Sequence, residues 1–343
     1  MTTPPIENTL GADLLKQIVL DAAELDTQQT LDVKGIVWLE HVNLVVGDKA
    51  LAQRFYIDLL GCTPDKSASF HVNMGQQQFH LAQAKDGEHV QVITGSIGLA
   101  VPSIATIQQR METALQDEAD LWKDTLLQVI PCSDNNDNNM LTVICPWGNR
   151  FHLYDCQLEA ENLTPASNSP HKMVKLHDTG GTYDAKRMAV RGQPGIRYIE
   201  IKCRPGSTPA IAQFYQDTLA CTVTGPQEGI ACVCVGPGVH LVYTEEDQLS
   251  QADEDAMQGV HICIYVQDFE GLYARLSAQN VIWTNPRFTH LDSCDTWEEA
   301  RASRTLRFKD IKDGQKKKVL ELEHETRPMR HGQYMKVPFY EPR

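Results

Sequence analysis

The chain has 343 residues, of which 42% are hydrophobic and 22% charged, with a formal net charge of −14. That composition suits a folded protein of about two domains, and its acidic balance repels phosphate backbones, so nucleic acid is not an expected partner. No apolar run approaches the ~20 residues that span a bilayer, and the opening Met1-Thr2-Thr3-Pro4-Pro5 lacks the basic and apolar regions of a secretory leader; the expectation is no membrane partner and a cytoplasmic location. The ten cysteines show no CxxC spacing and are read as reduced, buried thiols.

In chain order, residues 1–34 read as an extension, with helical spacing of apolar residues from Leu10 to Leu25. Alternating apolar residues then predict a strand at 37–46, containing His41-Val42-Asn43-Leu44. A helix at 49–60 follows, ending Phe55-Tyr56-Ile57-Asp58-Leu59, and then strands near 63–65, 70–74 and 78–83. The pattern recurs as a strand at 96–101, a helix at 104–118 and strands near 126–131, 140–145 and 150–155. Residues 158–195, rich in Pro, Gly, Asn, Ser and Thr, read as a linker. A third round runs from a strand at 196–203 through a helix at 208–219 to strands ending at 245. A fourth has a strand at 259–266, a helix at 268–279 and strands ending at 325. Residues 284–303 form a long polar insertion in that round, and loops of such length tend to be functional.

The rounds are related in sequence. FYxDxL occurs at Phe55–Leu60 and again at Phe214–Leu219, and His41 and Glu200 each lie 14 positions before the Phe. Phe79-His80-Leu81 matches Val239-His240-Leu241, Ser96-Ile97 matches His261-Ile262, and Phe151-His152-Leu153 matches Leu320-Glu321-Leu322. The offsets are 159, 160, 165 and 169, a steady growth that small loop insertions in the second copy produce.

The segment His41-Val42-Asn43-Leu44-Val45-Val46 with its FYxDxLG helix resembles the opening of a vicinal-oxygen-chelate module. Cys145-Pro146-Trp147-Gly148-Asn149-Arg150-Phe151-His152 resembles the segment that closes the second module of a pair. The resemblance covers about 37–156 and 196–326. It implies an α+β fold of four βαβββ modules, paired into two glyoxalase/dioxygenase-like domains with cupped mixed sheets. The first domain would span 35–157 and the second 196–327, with a tail at 328–343.

The resemblance also implies metal ligands on the first and last strands of each module. Carried across, these are Glu200, His240, His261 and Glu321 in the second half, and His41, His80, Ser96 and His152 in the first. Five of the twelve histidines fall on these eight positions, and two of the rest are glutamates, so chance filling is a poor account. All four positions of the second half can ligate Fe, Zn, Ni or Mn, whereas Ser96 weakens the first. Alternation puts Glu321, Glu323 and Glu325 on one strand face, with Glu321 in the expected register and Glu323 reached by a slip of two. His324, on the other face, is read as exposed or supporting.

The function so implied is divalent-metal-dependent chemistry on a small substrate with vicinal oxygens. Two carboxylates in the ligand set favour glyoxalase I-like lyase or isomerase chemistry, with Glu321 or Glu200 as base and Arg204 meeting an anionic group. The alternatives are an Fe(II) extradiol-type or hydroxyphenylpyruvate-type dioxygenase and a non-enzymatic small-molecule binding protein. A monomer or a homodimer accommodates each of them.

Overall fold

A computed structural model describes residues 35–66, 70–131, 140–156, 194–227, 229–236 and 238–337. The expected helix at Leu10–Leu25, nearly all of the linker and the end of the tail lie outside these residues.

The four modules form as the alternation requires. The first contains β1 (Ile36–Val46), β2 (Thr63–Pro64), β3 (His71–Met74) and β4 (Gln77–Gln83), and the second β5 (Ile97–Val101), β6 (Gln128–Pro131), β7 (Met140–Ile144) and β8 (Arg150–Asp155). The third contains β9 (Gly195–Cys203), β10 (Val223–Gln227), β11 (Ile230–Gly236) and β12 (Val239–Glu245). The fourth has β13 (His261–Val266), β14 (Leu306–Lys312) and β15 (Lys318–Pro328). It has one strand fewer than expected. The missing strand is reduced to a single bridge between Ile282 and Phe308, because the 284–303 insertion leaves the sheet at that point.

Each first strand leads into a helix, and three of these four helices start at a side-chain cap. Asp48, Ser103 and Asp268 accept hydrogen bonds from the backbone N–H groups of Leu51, Thr106 and Gly271 at three helix N-termini. Phe55, Tyr56 and Leu59 of the first FYxDxL motif, and Phe214, Tyr215 and Leu219 of the second, are all buried.

Hydrogen bonding joins the modules differently from the expected division into halves. One sheet runs β14-β15-β13-β1-β4-β3-β2 and unites the fourth module with the first. The other runs β10-β11-β12-β9-β5-β8-β7-β6 and unites the third with the second. The central contacts are the antiparallel pairs of first strands, β1 with β13 and β5 with β9. Every module presents the same first-strand edge, so a sequence repeat defines the module without naming the edge it meets.

The main hydrophobic core draws on both sheets, and a smaller cluster of Tyr154, Tyr198, Cys232 and Val242 lies apart from it. The main core takes Val42, Leu44, Ile262 and Ile264 from one sheet, Leu99, Leu153, Ile199 and Leu241 from the other, and the buried faces of the helices. Strand alternation then sends His41, His261, Cys263 and Glu325 to the opposite, concave face of the first sheet. No described helix is long and apolar enough to cross a membrane. All nine described cysteines are free thiols, and eight of them are buried.

Candidate metal centre

The first sheet gathers a compact polar cluster on β1, β13 and β15. His41 sits opposite Cys263, and Cys263 sits opposite Glu325, so the three form one row across adjacent strands. His261 lies two residues before Cys263 on the same face. His41 Nε2 is 3.8 Å and His261 Nε2 3.6 Å from the same atom, Glu325 Oε2. Among the described residues, three or more potential ligand atoms converge only here, as His41–His261–Glu325 and the adjoining Glu40–His41–Cys263.

A register shift in β1 between Leu39 and His41 brings two consecutive polar side chains, Glu40 and His41, to this cluster. His41 Nδ1 is 3.1 Å from Glu40 Oε2. Tyr265 donates to Glu40 Oε1 at 2.8 Å and Arg327 to Glu40 Oε2 at 2.9 Å. Held this way, His41 donates through Nδ1 and directs the lone pair of Nε2 into the cluster.

Burial works against charge throughout the cluster. It pushes the imidazoles of His261 and His80 well below their usual range, with help from Arg307 for His261 and from His41 for His80. Burial alone would raise Glu325, but Arg327 and Arg307 hold its carboxyl well below the usual carboxylate range. Glu323 and Asp292 are raised, chiefly by burial. Arg307 lies 2.8 Å from Glu325 Oε2, 2.7 Å from Glu323 Oε1 and 3.0 Å from Asp292 Oδ2; Arg327 pairs with the other oxygen of Glu325.

The residues fit a bound divalent cation on two grounds. His41 Nε2 is buried with no hydrogen-bond partner among the described residues, and its distance to Glu325 is too long for a hydrogen bond. Ligand atoms roughly 2.0–2.2 Å from an ion stand roughly 3–3.5 Å apart; the two histidine nitrogens stand a few tenths of an ångström beyond that from Glu325 Oε2, and all three atoms lie within 4.8 Å of one another. The second ground is charge. Four buried carboxylates, Glu40, Asp292, Glu323 and Glu325, face the two guanidinium groups of Arg307 and Arg327. Buried carboxylates need compensation, and a divalent cation would supply it.

The expected ligand positions are divided between the sheets. His41 and His261 come together, although they come from opposite halves of the chain. His80 stacks on His41 with centroids 3.6 Å apart and stacks equally on His71, and it is not among the converging atoms. Glu321 stands apart, 2.8 Å from Lys318 and 3.3 Å from Lys309. The carboxylate beside the histidines is Glu325, four residues further on. The strand pairing accounts for that difference. Gly98, two residues past Ser96, lies opposite His152, and Cys263, two past His261, lies opposite Glu325, so Glu325 and not Glu321 corresponds to His152. The β14–β15 hairpin is longer than its counterpart and shifts the match. One sequence signal pointed there: Arg307 lies between Leu306 and Phe308 and pairs with Glu325 across the hairpin, as an arginine with a buried carboxylate must.

The remaining positions lie on the second sheet. Glu200 accepts hydrogen bonds from Ser96 Oγ at 2.7 Å and Thr244 Oγ1 at 3.1 Å. His152 Nδ1 is 2.7 Å from the hydroxyl of Tyr198. The Tyr198 ring lies directly on Gly98, where an added Cβ would come within 2.2 Å of it. His240 is buried beside Cys234, and burial pulls its imidazole down to about 4. Arg204, expected near substrate, is an exposed residue paired with Glu254. His324 is fully buried on the core side, stacked on Phe308 at 4.3 Å.

The 284–303 insertion folds over the first sheet's cluster. Asn285 donates to both oxygens of Glu323, Asp292 accepts from Arg307, and Phe288 meets His261 edge-on at 5.7 Å.

No protein-family model matches the sequence, and no curated protein matches it. Solved structures do match. Glyoxalase I from Zea mays is 11% identical with a TM-score of 0.50, the alignment covering 84% of this chain and 92% of that one. The CppA protein from Streptococcus pneumoniae is 10% identical at a TM-score of 0.41, with 86% of this chain and 100% of that one covered. The 2,3-dioxygenase LapB from a Pseudomonas species is 12% identical at a TM-score of 0.26, with 90% and 97% covered. At 11% identity the likeness to glyoxalase I is one of fold. Its four modules and two cupped mixed sheets give this chain the vicinal-oxygen-chelate fold.

Proposed function

We propose that this chain is a metal-dependent enzyme of the dioxygenase type, acting on a small substrate with vicinal oxygens, with iron held by His41, His261 and Glu325. The observation that carries the reading is the donor set itself: two imidazoles and one carboxylate converging from three adjacent strands. Ferrous iron bound by such a set supplies open positions for a substrate and O₂. Around it, Glu40 orients His41, with Tyr265 and Arg327 holding Glu40 in turn, and Phe288 shields His261 from water. The lyase or isomerase reading rested on a second carboxylate ligand. Glu200 lies on the other sheet and Glu321 is occupied by two lysines, so the geometry supports that reading less well.

Elemental analysis of the full-length protein tests the proposal. About one iron per chain is expected, lost in His41→Ala, His261→Ala and Glu325→Ala and kept in Glu321→Ala and Glu200→Ala. Metal retained in Glu325→Ala would overturn the ligand set. A wild-type protein that neither carries nor binds metal would favour a small-molecule binding cup.

A further inference from the structure

The insertion and the candidate ligands share one residue. Arg307 Nη2 lies 2.8 Å from Glu325 Oε2 and 3.0 Å from Asp292 Oδ2, and Nη1 lies 2.7 Å from Glu323 Oε1. Glu325 Oε2 is also the oxygen that faces both imidazoles. On the insertion side, Asn285 holds Glu323, Asp292 holds the guanidinium, and the ring of Phe288 lies 4.6 Å from Arg307 Cζ. Three side chains of the insertion therefore end on Arg307 or on a carboxylate that Arg307 binds.

We propose that Arg307 is a positioning residue that couples ion capture to the seating of the 284–303 insertion, an inference that rests on the metal reading above. Without an ion, the one guanidinium charge is divided among Glu325, Glu323 and Asp292. A cation at His41, His261 and Glu325 draws off the Glu325 oxygen and repels the guanidinium. Arg307 then pairs more fully with Asp292 and Glu323, the two carboxylates that hold the insertion. Loading the site tightens the segment that covers it. Phe288, which touches both Arg307 and His261, is drawn with the guanidinium.

Hydrogen exchange of the full-length protein tests this, with Co²⁺ as an absorbing stand-in for iron, so that binding is read separately from its d–d bands. The amides of Phe288, Leu291 and Asp292, bonded within the insertion's own turns, report on its seating. Exchange of residues 285–293 should slow about five-fold on saturation with Co²⁺ in the wild type. Asp292→Asn should bind Co²⁺ with that slowing lost, and Asn285→Ala should lose part of it. Co²⁺ binding with exchange unchanged, or slowed equally in Asp292→Asn, overturns the coupling and leaves the metal site standing. Absence of Co²⁺ binding by the wild type overturns both.

Discussion

The two FYxDxL helices make opposite use of the same tyrosine, and a pair of substitutions should show it. Tyr215 receives a hydrogen bond from Tyr243 at 2.5 Å and donates to His324 Nε2 at 2.7 Å, and His324 Nδ1 donates to the Leu322 carbonyl at 2.7 Å. Every buried polar atom in that chain is matched. Tyr56, at the equivalent place in the first module, meets the edge or face of Phe151 and Phe79, and its buried hydroxyl has no partner among the described residues. An unmatched buried hydroxyl costs about 1–3 kcal/mol. Tyr56→Phe keeps the ring and removes that penalty, so we expect a gain of about 1 kcal/mol. Tyr215→Phe removes two hydrogen bonds and strands Tyr243 and His324, for a loss of about 2–4 kcal/mol. Urea unfolding of the two variants beside wild type measures both. If Tyr56→Phe destabilised the protein by as much as Tyr215→Phe, the reasoning from unmatched hydroxyls would be refuted.

Three further outcomes are expected. His240 titrates near 6.5 in the unfolded chain but only near 4 in the folded protein, so the unfolded state binds more protons between these values and stability falls as pH drops through that window. His240→Leu should lose about 2 kcal/mol less than wild type between pH 7 and pH 5 in urea titrations; equal losses would show that His240 is not the group responsible. Gly98→Ala drives a methyl into Tyr198, and we expect at least about 2 kcal/mol of destabilisation with iron content unchanged, because the clash lies in the other sheet. Ser96→Ala removes the 2.7 Å hydrogen bond to the Glu200 carboxylate and should cost about 1–2 kcal/mol, read from the same unfolding curves.

Strand and helix positions were legible because alternation and helical spacing are local signals. The helix at Thr208–Leu219 and the strand at Arg150–Asp155 fall where the pattern places them. The histidines of the site were legible as well, since His41 and His261 sit on first strands that repeat. Their meeting was not legible, because edge pairing depends on which of four similar edges docks first, and no local property of Val42 or Ile262 encodes that choice. Glu325 was missed for a related reason: Glu321, Glu323 and Glu325 share one face, and choosing among them needs the β13–β15 register, a long-range quantity. The charge on Arg204 gave no warning of its surface pairing with Glu254. A lone arginine beside a strand reads the same whether its carboxylate comes from substrate or from a neighbouring helix.

The order of pairing also bears on how the protein is made. Modules two and three lie side by side in the chain, and modules one and four enclose them, so the architecture is nested. As the chain leaves the ribosome, the inner sheet can be completed once β12 has appeared. The outer sheet must leave β1 with an open edge until β13 and β15 are translated. His41 therefore waits through about 280 residues of synthesis before Glu325 exists, and the hydrophobic β1 edge that β13 covers stays open for about the first 215 of them. The ligand set is complete only once β15 has been made, and any chain cut short of β15 lacks it while keeping every residue of the inner sheet.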